Sequence, residues 1–262
     1  IKAYERLYGS NKARTDVLQL LYQLYGSQND YRKMISTLER LETVEGSNEQ
    51  ISLSKMQIYE QLGEKRKEYD ELKSLVDSHP LELNYQVMFG NWLLQNGKKK
   101  EALQKYRDVL KNDPDNSLAR LSMMDYYSSI GDQTTVNAIR RELLQSAKTE
   151  QNTKVELLRQ VIAASQKDNT PDSTEVMRLF SVALAAPQEN ADILMLKAAY
   201  MTLRKMPKTD INHVYEQAIE VEPDNSRARI LLIQNIWETE DYDKVIAICR
   251  PALEYNPDEM AF

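Results

Sequence analysis

One spacing constrains this chain more than any other feature. Gly63, Gly97 and Gly131 stand 34 residues apart, as do Pro80 and Pro114 and, further on, Pro223 and Pro257. A fixed period of this length means that each unit is one supersecondary element, stacked on its neighbours to make a solenoid. The unit is plainest over Leu83–Asp115. There Phe89, Gly90, Trp92 and Leu93 fall in a first amphipathic helix and Gly97 breaks the chain. Ala102, Tyr106 and Val109 recur at helical spacing in a second helix, and Pro114 ends it.

Period and marker positions resemble the tetratricopeptide repeat (TPR). Numbered from Leu83, the family's marker positions 4, 7, 8, 11, 20, 24, 27 and 32 hold Gln86, Phe89, Gly90, Leu93, Ala102, Tyr106, Val109 and Pro114, and only position 4 departs outright. Small residues at 8 and 20 let two helices approach closely, large apolar groups fill the seam, and the proline cannot continue the second helix.

In order, residues 1–14 read as a second helix whose partner is missing, with Tyr4 and Leu7 at its marker positions, as in a piece cut from a longer array. Repeats then run 15–48, 49–82, 83–116, 117–150, 151–191, 192–225 and 226–259. The fifth is 41 residues long, with its surplus at 167–172 and after Pro187; Met260–Phe262 would open a further helix. Ala198 and Ala199 are placed at positions 7 and 8 of the sixth repeat, and Pro251, inside the last helix, predicts a kink. The expected fold is therefore all-α: a single superhelical array over 1–262, made of seven TPR-like helix pairs preceded by one orphan helix.

Composition agrees. Only 7 Gly and 8 Pro interrupt 262 residues, and 34 basic against 40 acidic side chains give a net charge of −6. An acidic balance argues against binding nucleic acid, which needs a basic face. No apolar run is long enough for a spanning helix, so this segment is not expected to insert in a membrane. One cysteine, Cys249, excludes an internal disulfide and a cysteine-based metal site. His79 and His213 are isolated and read as surface or capping groups, and Trp92 and Trp237 read as packing. With no catalytic, cofactor-binding or metal-binding pattern, the chain reads as non-enzymatic.

The TPR resemblance implies a concave surface lined by positions 2, 5, 9, 12 and 13 of each first helix. Position 9 reads Gln23, Gln57, Asn91, Asp125, Arg159, Tyr200 and Gln234, all polar, beside a mostly apolar row at position 5. Side-chain amides at a regular rise can donate to and accept from an extended backbone, so the expected partner is a protein or extended peptide held in this groove. Alternatively, the row is simply solvated. The inner positions supply Asp16, Glu60 and Asp125 early, then Arg159, Arg204 and Arg227 with Lys197 later, against Glu156 and Glu238. The groove is thus expected to be bipolar, its basic end facing an acidic segment. TPR domains that clamp a chaperone's terminal carboxylate need Lys at position 5, which no repeat here has. Uncapped ends around Tyr4, Leu7, Ile246 and Ala247 suggest self-association. The wording of Leu21–Lys55 resembles TPR arrays of bacterial cell-envelope lipoproteins, which implies a periplasmic or envelope location; a cytoplasmic adaptor would read the same. The alternative role is a recruiting or regulatory repeat domain of a larger enzyme.

Overall fold

The computed structural model describes residues 1–46, 48–167, 173–237 and 241–260. Every regular element among them is a helix. The helices group into two compact units, Ile1–Pro114 and Asp115–Phe262. The first holds α1 (Lys2–Ser10) and the pairs α2 (Thr15–Gly26) with α3 (Tyr31–Glu45), α4 (Glu49–Leu62) with α5 (Lys65–Ser78), and α6 (Leu83–Gln95) with α7 (Lys99–Asn112). The second holds α8 (Ser117–Ser129) with α9 (Gln133–Gln145), α10 (Gln151–Lys167) with α11 (Ser173–Ala183), α12 (Asp192–Leu203) with α13 (Lys208–Val221), and α14 (Ser226–Trp237) with α15 (Tyr242–Tyr255).

The turns of the five pairs whose connecting residues are all described are built the same way. Gly63, Gly97 and Gly131 adopt φ of 67°, 78° and 79°, the left-handed region that glycine enters without cost. The next amide then reaches back five residues: Glu64 N–H donates to Tyr59 O at 2.9 Å, Lys98 to Leu93 at 2.8 Å and Asp132 to Tyr127 at 3.0 Å. Asn29 and Lys205 take the same place at φ 55° and 53°, with Asp30 donating to Tyr25 and Met206 to Met201, both at 3.0 Å. Asparagine tolerates that region but lysine pays a steric penalty there. Lys205→Gly is therefore expected to stabilise the second unit by up to about 1 kcal/mol, read as a higher urea midpoint.

Helix starts are equally regular. Asp30, Asp132 and Asp241 cap the second helix of their pairs, their carboxylates accepting from Lys33, Thr135 and Lys244 N–H. Asn48, Asn116 and Asn225, each last in its repeat, cap the following first helix through Ile51, Ala119 and Ala228 N–H. Sequence reading passed over both sets.

The core of the first unit runs through Leu18, Leu21 and Tyr25, then Leu38 and Ile58, Leu72 and Leu75, to Leu93, Tyr106 and Val109. In the second unit one cluster centres on Leu143, Leu157, Leu158, Leu179 and Phe180, and another on Ala198, Val214, Ala218, Leu232 and Ile236. The orphan helix α1 buries no residue fully. Its Tyr8 packs partly buried against the Leu18 and Leu21 cluster, and its Glu5 accepts from Tyr25 Oη at 2.6 Å and from Arg40 Nη1 at 3.0 Å; burial and the bond to Glu5 push the Tyr25 pKa up to about 12.

Of the surplus expected at 167–172, residues 168–172 lie outside the described residues, as do Glu238 and the Ala261–Phe262 part of the expected further helix. The rest of the surplus is the connection 184–191, fixed at both ends. Gln188 Nε2 donates to the carbonyls of Ala183 and Ala186, closing the end of α11. Gln151 accepts from Glu189 N–H at 2.9 Å and donates to Asn190 O at 2.9 Å. Finally, α15 continues through Pro251 as one helix.

Candidate functional site

The first helices of the pairs leave two stretches of groove, one in each unit. In the first unit a cavity of about 400 Å³ is lined by Gln19, Tyr22, Gln23, Leu38, Asn48 and Ile51, among others. A neighbouring one of about 480 Å³ shares Asn48, Gln50 and Ser54 with it and adds Leu53 and Gln57. Gln23 and Gln57 are exposed and their side-chain amides hydrogen-bond to no described residue, so these amides are open to a ligand. Asn91 is different: its Oδ1 accepts from Tyr106 Oη at 2.8 Å, so one of its two acceptor sites is spent inside the pair.

In the second unit a cavity of about 450 Å³ gathers Asn152, Val155, Glu156 and Arg159 from α10, Asp192, Met195, Leu196 and Ala199 from α12, Tyr215 from α13, and Arg227 and Leu231 from α14. Two of the expected residues, Arg159 and Arg227, are thereby brought together over an apolar floor. Asp125 and Gln234 are exposed on α8 and α14 but do not line this cavity. Burial raises the Asp125 carboxyl pKa even so.

Tyr200, Arg204 and Lys197 need correction. Tyr200 is 2% exposed, with its ring 6.1 Å from that of Phe180 and its hydroxyl buried without a hydrogen-bond partner among the described residues. Arg204 sits just past the end of α12, where its Nη2 donates to Ser173 Oγ at 3.3 Å. Lys197 lines a separate cavity of about 430 Å³ with Gln188, Gln217 and Glu220, and burial lowers its pKa. All three shifts have one cause. Ala198 is fully buried and Ala199 is exposed, so the first helix of this repeat is turned by one residue, about 100°, from the register assigned to it. The left-handed Lys205 marks the same offset, because it falls one place earlier in its repeat than Gly63, Gly97 and Gly131 do in theirs. Ala199 therefore stands on the groove where Tyr200 was expected.

Other side chains also depart from expectation or sharpen it. Asp16 is paired with Arg14. His79 Nδ1 lies 3.1 Å from Leu75 O at the end of α5, a capping role. His213 is exposed, 3.7 Å from Glu216. Trp92 packs 5.1 Å from Tyr69, but Trp237 is 58% exposed, edge-on to Tyr242 at 5.7 Å. Tyr242 and Ile246, one turn apart on α15, are likewise more than half exposed. Cys249 is half-buried in the core, and burial pushes its thiol pKa up, away from reactivity.

Position 4 of the repeats carries a function that sequence reading left unread. Arg229, buried there in the last repeat, donates through Nη2 to Pro223 O at 2.8 Å and through Nη1 to Ile248 O at 3.2 Å. It ties the last pair to the end of the preceding one. Lys154 is buried at the same position of the fifth repeat. Among the described residues no group of three or more His, Cys, Asp or Glu is arranged to hold a metal ion, and no helix is long and apolar enough to cross a membrane.

Residues 63–146 match the family model of the tetratricopeptide repeat. Among solved structures, a tetratricopeptide repeat protein from Parabacteroides merdae is similar with a TM-score of 0.50 and 15% identity, over 90% of this chain and 89% of that one. The structure of Naa15/Naa10 bound to HypK-THB gives a TM-score of 0.52 and 16% identity, over 98% of this chain but 45% of that one. At these identities the likeness is one of fold. No curated protein matches the sequence.

Proposed function

We propose that this chain is a non-catalytic scaffold which binds a partner polypeptide in an extended form along the grooves of its first helices. The observation that carries this reading is the pair of grooves themselves. Each unit places unengaged polar side chains beside an apolar floor: carboxamides over Leu38 and Ile51 in the first, and charges over Val155, Leu196 and Leu231 in the second. An extended strand has unpaired N–H and C=O groups along its length and side chains alternating to either face, so carboxamides and small apolar pockets suit it. The TPR-type fold supports the same reading, because helix pairs stacked in this way leave their inner faces free for a partner.

The test is selection of peptides from a displayed random library on the intact chain, followed by affinity measurement on variants whose grooves are plugged. Ala199→Trp fills the groove of the second unit and Gln57→Trp that of the first, both at exposed positions that spare the core. Selected peptides should bind at least about tenfold more weakly to one plugged variant, with circular dichroism unchanged. Peptides that bind both variants as they bind the parent chain would place the partner elsewhere and sink the reading.

A further inference from the structure

The groove of the second unit is not the basic surface that its arginines suggest. Arg159 enters from α10 and Arg227 from α14, but Glu156 and Asp192 line the same cavity. All four are exposed, and none makes an ion pair with a described residue; Glu156 alone is engaged, accepting from Gln160 Nε2 at 3.3 Å. The two residues that would have tipped the balance, Lys197 and Arg204, lie outside this cavity. The wall is therefore neutral in sum and divided in detail, with Met195, Leu196 and Leu231 among the charges.

From this juxtaposition we propose that the groove selects an extended segment of mixed charge, bearing acidic and basic side chains around an apolar one, over a uniformly acidic segment. An all-acidic strand would gain from the two arginines and be repelled by the two carboxylates. A strand bearing both signs has a counter-charge for the arginines and for the carboxylates alike. Exposed pairs of this kind contribute little each, so the effect is one of selection more than of strength. The inference rests on the groove being the binding face, and its test separates the two.

Four acetylated, amidated, fluorescein-labelled peptides serve as probes: Ala-Asp-Leu-Lys-Leu-Asp-Ala and its forms with all three charges acidic, all basic, or replaced by serine. Anisotropy titrations should show the mixed peptide binding about tenfold more tightly than the serine peptide and severalfold more tightly than the acidic one, with the advantage shrinking as salt rises. The double variant Arg159→Ala, Arg227→Ala should erase the mixed peptide's advantage over the serine peptide measured on the same variant. Asp192→Ala should let the acidic peptide draw level with the mixed one. An acidic peptide that binds the parent chain as well as the mixed one overturns the inference. If it does so while Ala199→Trp still abolishes binding, the groove reading survives and only the charge selection falls. If binding is indifferent to Ala199→Trp, or no probe binds, the groove reading falls as well.

Discussion

Replacing Lys55 by alanine is expected to destabilise the first unit by about 3–5 kcal/mol, a large share of what holds a unit of this size together. Lys55 lies on α4 with only 6% of its surface exposed. Its ammonium donates to Glu42 on α3 at 2.5 Å and stands 3.9 Å from Glu71 on α5. Alanine would leave two carboxylates facing each other across a half-buried seam with nothing to neutralise them. Replacing all three by apolar residues of similar volume should be neutral or stabilising, because the cluster repays a desolvation cost that an apolar seam never incurs. Urea titrations of both variants, followed by circular dichroism, test this. An alanine variant within about 0.5 kcal/mol of the parent would mean that the cluster behaves as an ordinary surface pair.

The same cluster gives a pH dependence. Burial alone would lower the Lys55 pKa, but the hydrogen bond to Glu42 and the charges of Glu71 and Glu42 outweigh it and leave the value raised above 10.5. A raised folded-state pKa means that the contribution is complete below the unfolded lysine value. It is lost only as pH climbs through the folded one.

Gly90→Ala is the second large effect, expected to cost about 1–3 kcal/mol although alanine is the better helix former. A Cβ at Gly90 would come within 2.9 Å of Tyr106 Cδ1 and closer still to Cε1. Tyr106 has no exposed surface, and its hydroxyl is fixed by Asn91, so the ring has nowhere to swing. Tyr106→Leu should therefore relieve part of the damage, giving a double-mutant coupling well above the roughly 0.5 kcal/mol seen for independent sites. Gly9→Ala in α1 is the control: nothing lies within 4 Å of its Cβ, and helix propensity alone should make it stabilising. Thermal melts in which Gly90→Ala behaves like Gly9→Ala would refute the close packing of α6 on α7.

What the sequence by itself determined was the local part of this protein. Helix pairs were legible because apolar residues at 3.6-residue spacing and left-handed turn residues are properties of neighbours in the chain. Gly63, Gly97 and Gly131 turn where their spacing placed them. The carboxamides Gln23 and Gln57 lie open on the first helices, where their repeat position put them. The tertiary structure decided what depended on distant residues or on a choice between equals. Ala198 and Ala199 are both small enough for a helix seam, so the one-residue rotation that buries Tyr200 and turns Lys197 out of the groove was undetermined by pattern. An extra residue in the following turn, marked by left-handed Lys205, fixes it. Lys55 occupies a seam position, and only the approach of Glu42 and Glu71 from two other helices makes a charge tolerable there. In the groove of the second unit, Arg159, Asp192 and Arg227 lie on three successive first helices. Their meeting is set by stacking of whole helices, an interaction that no single stretch of chain encodes.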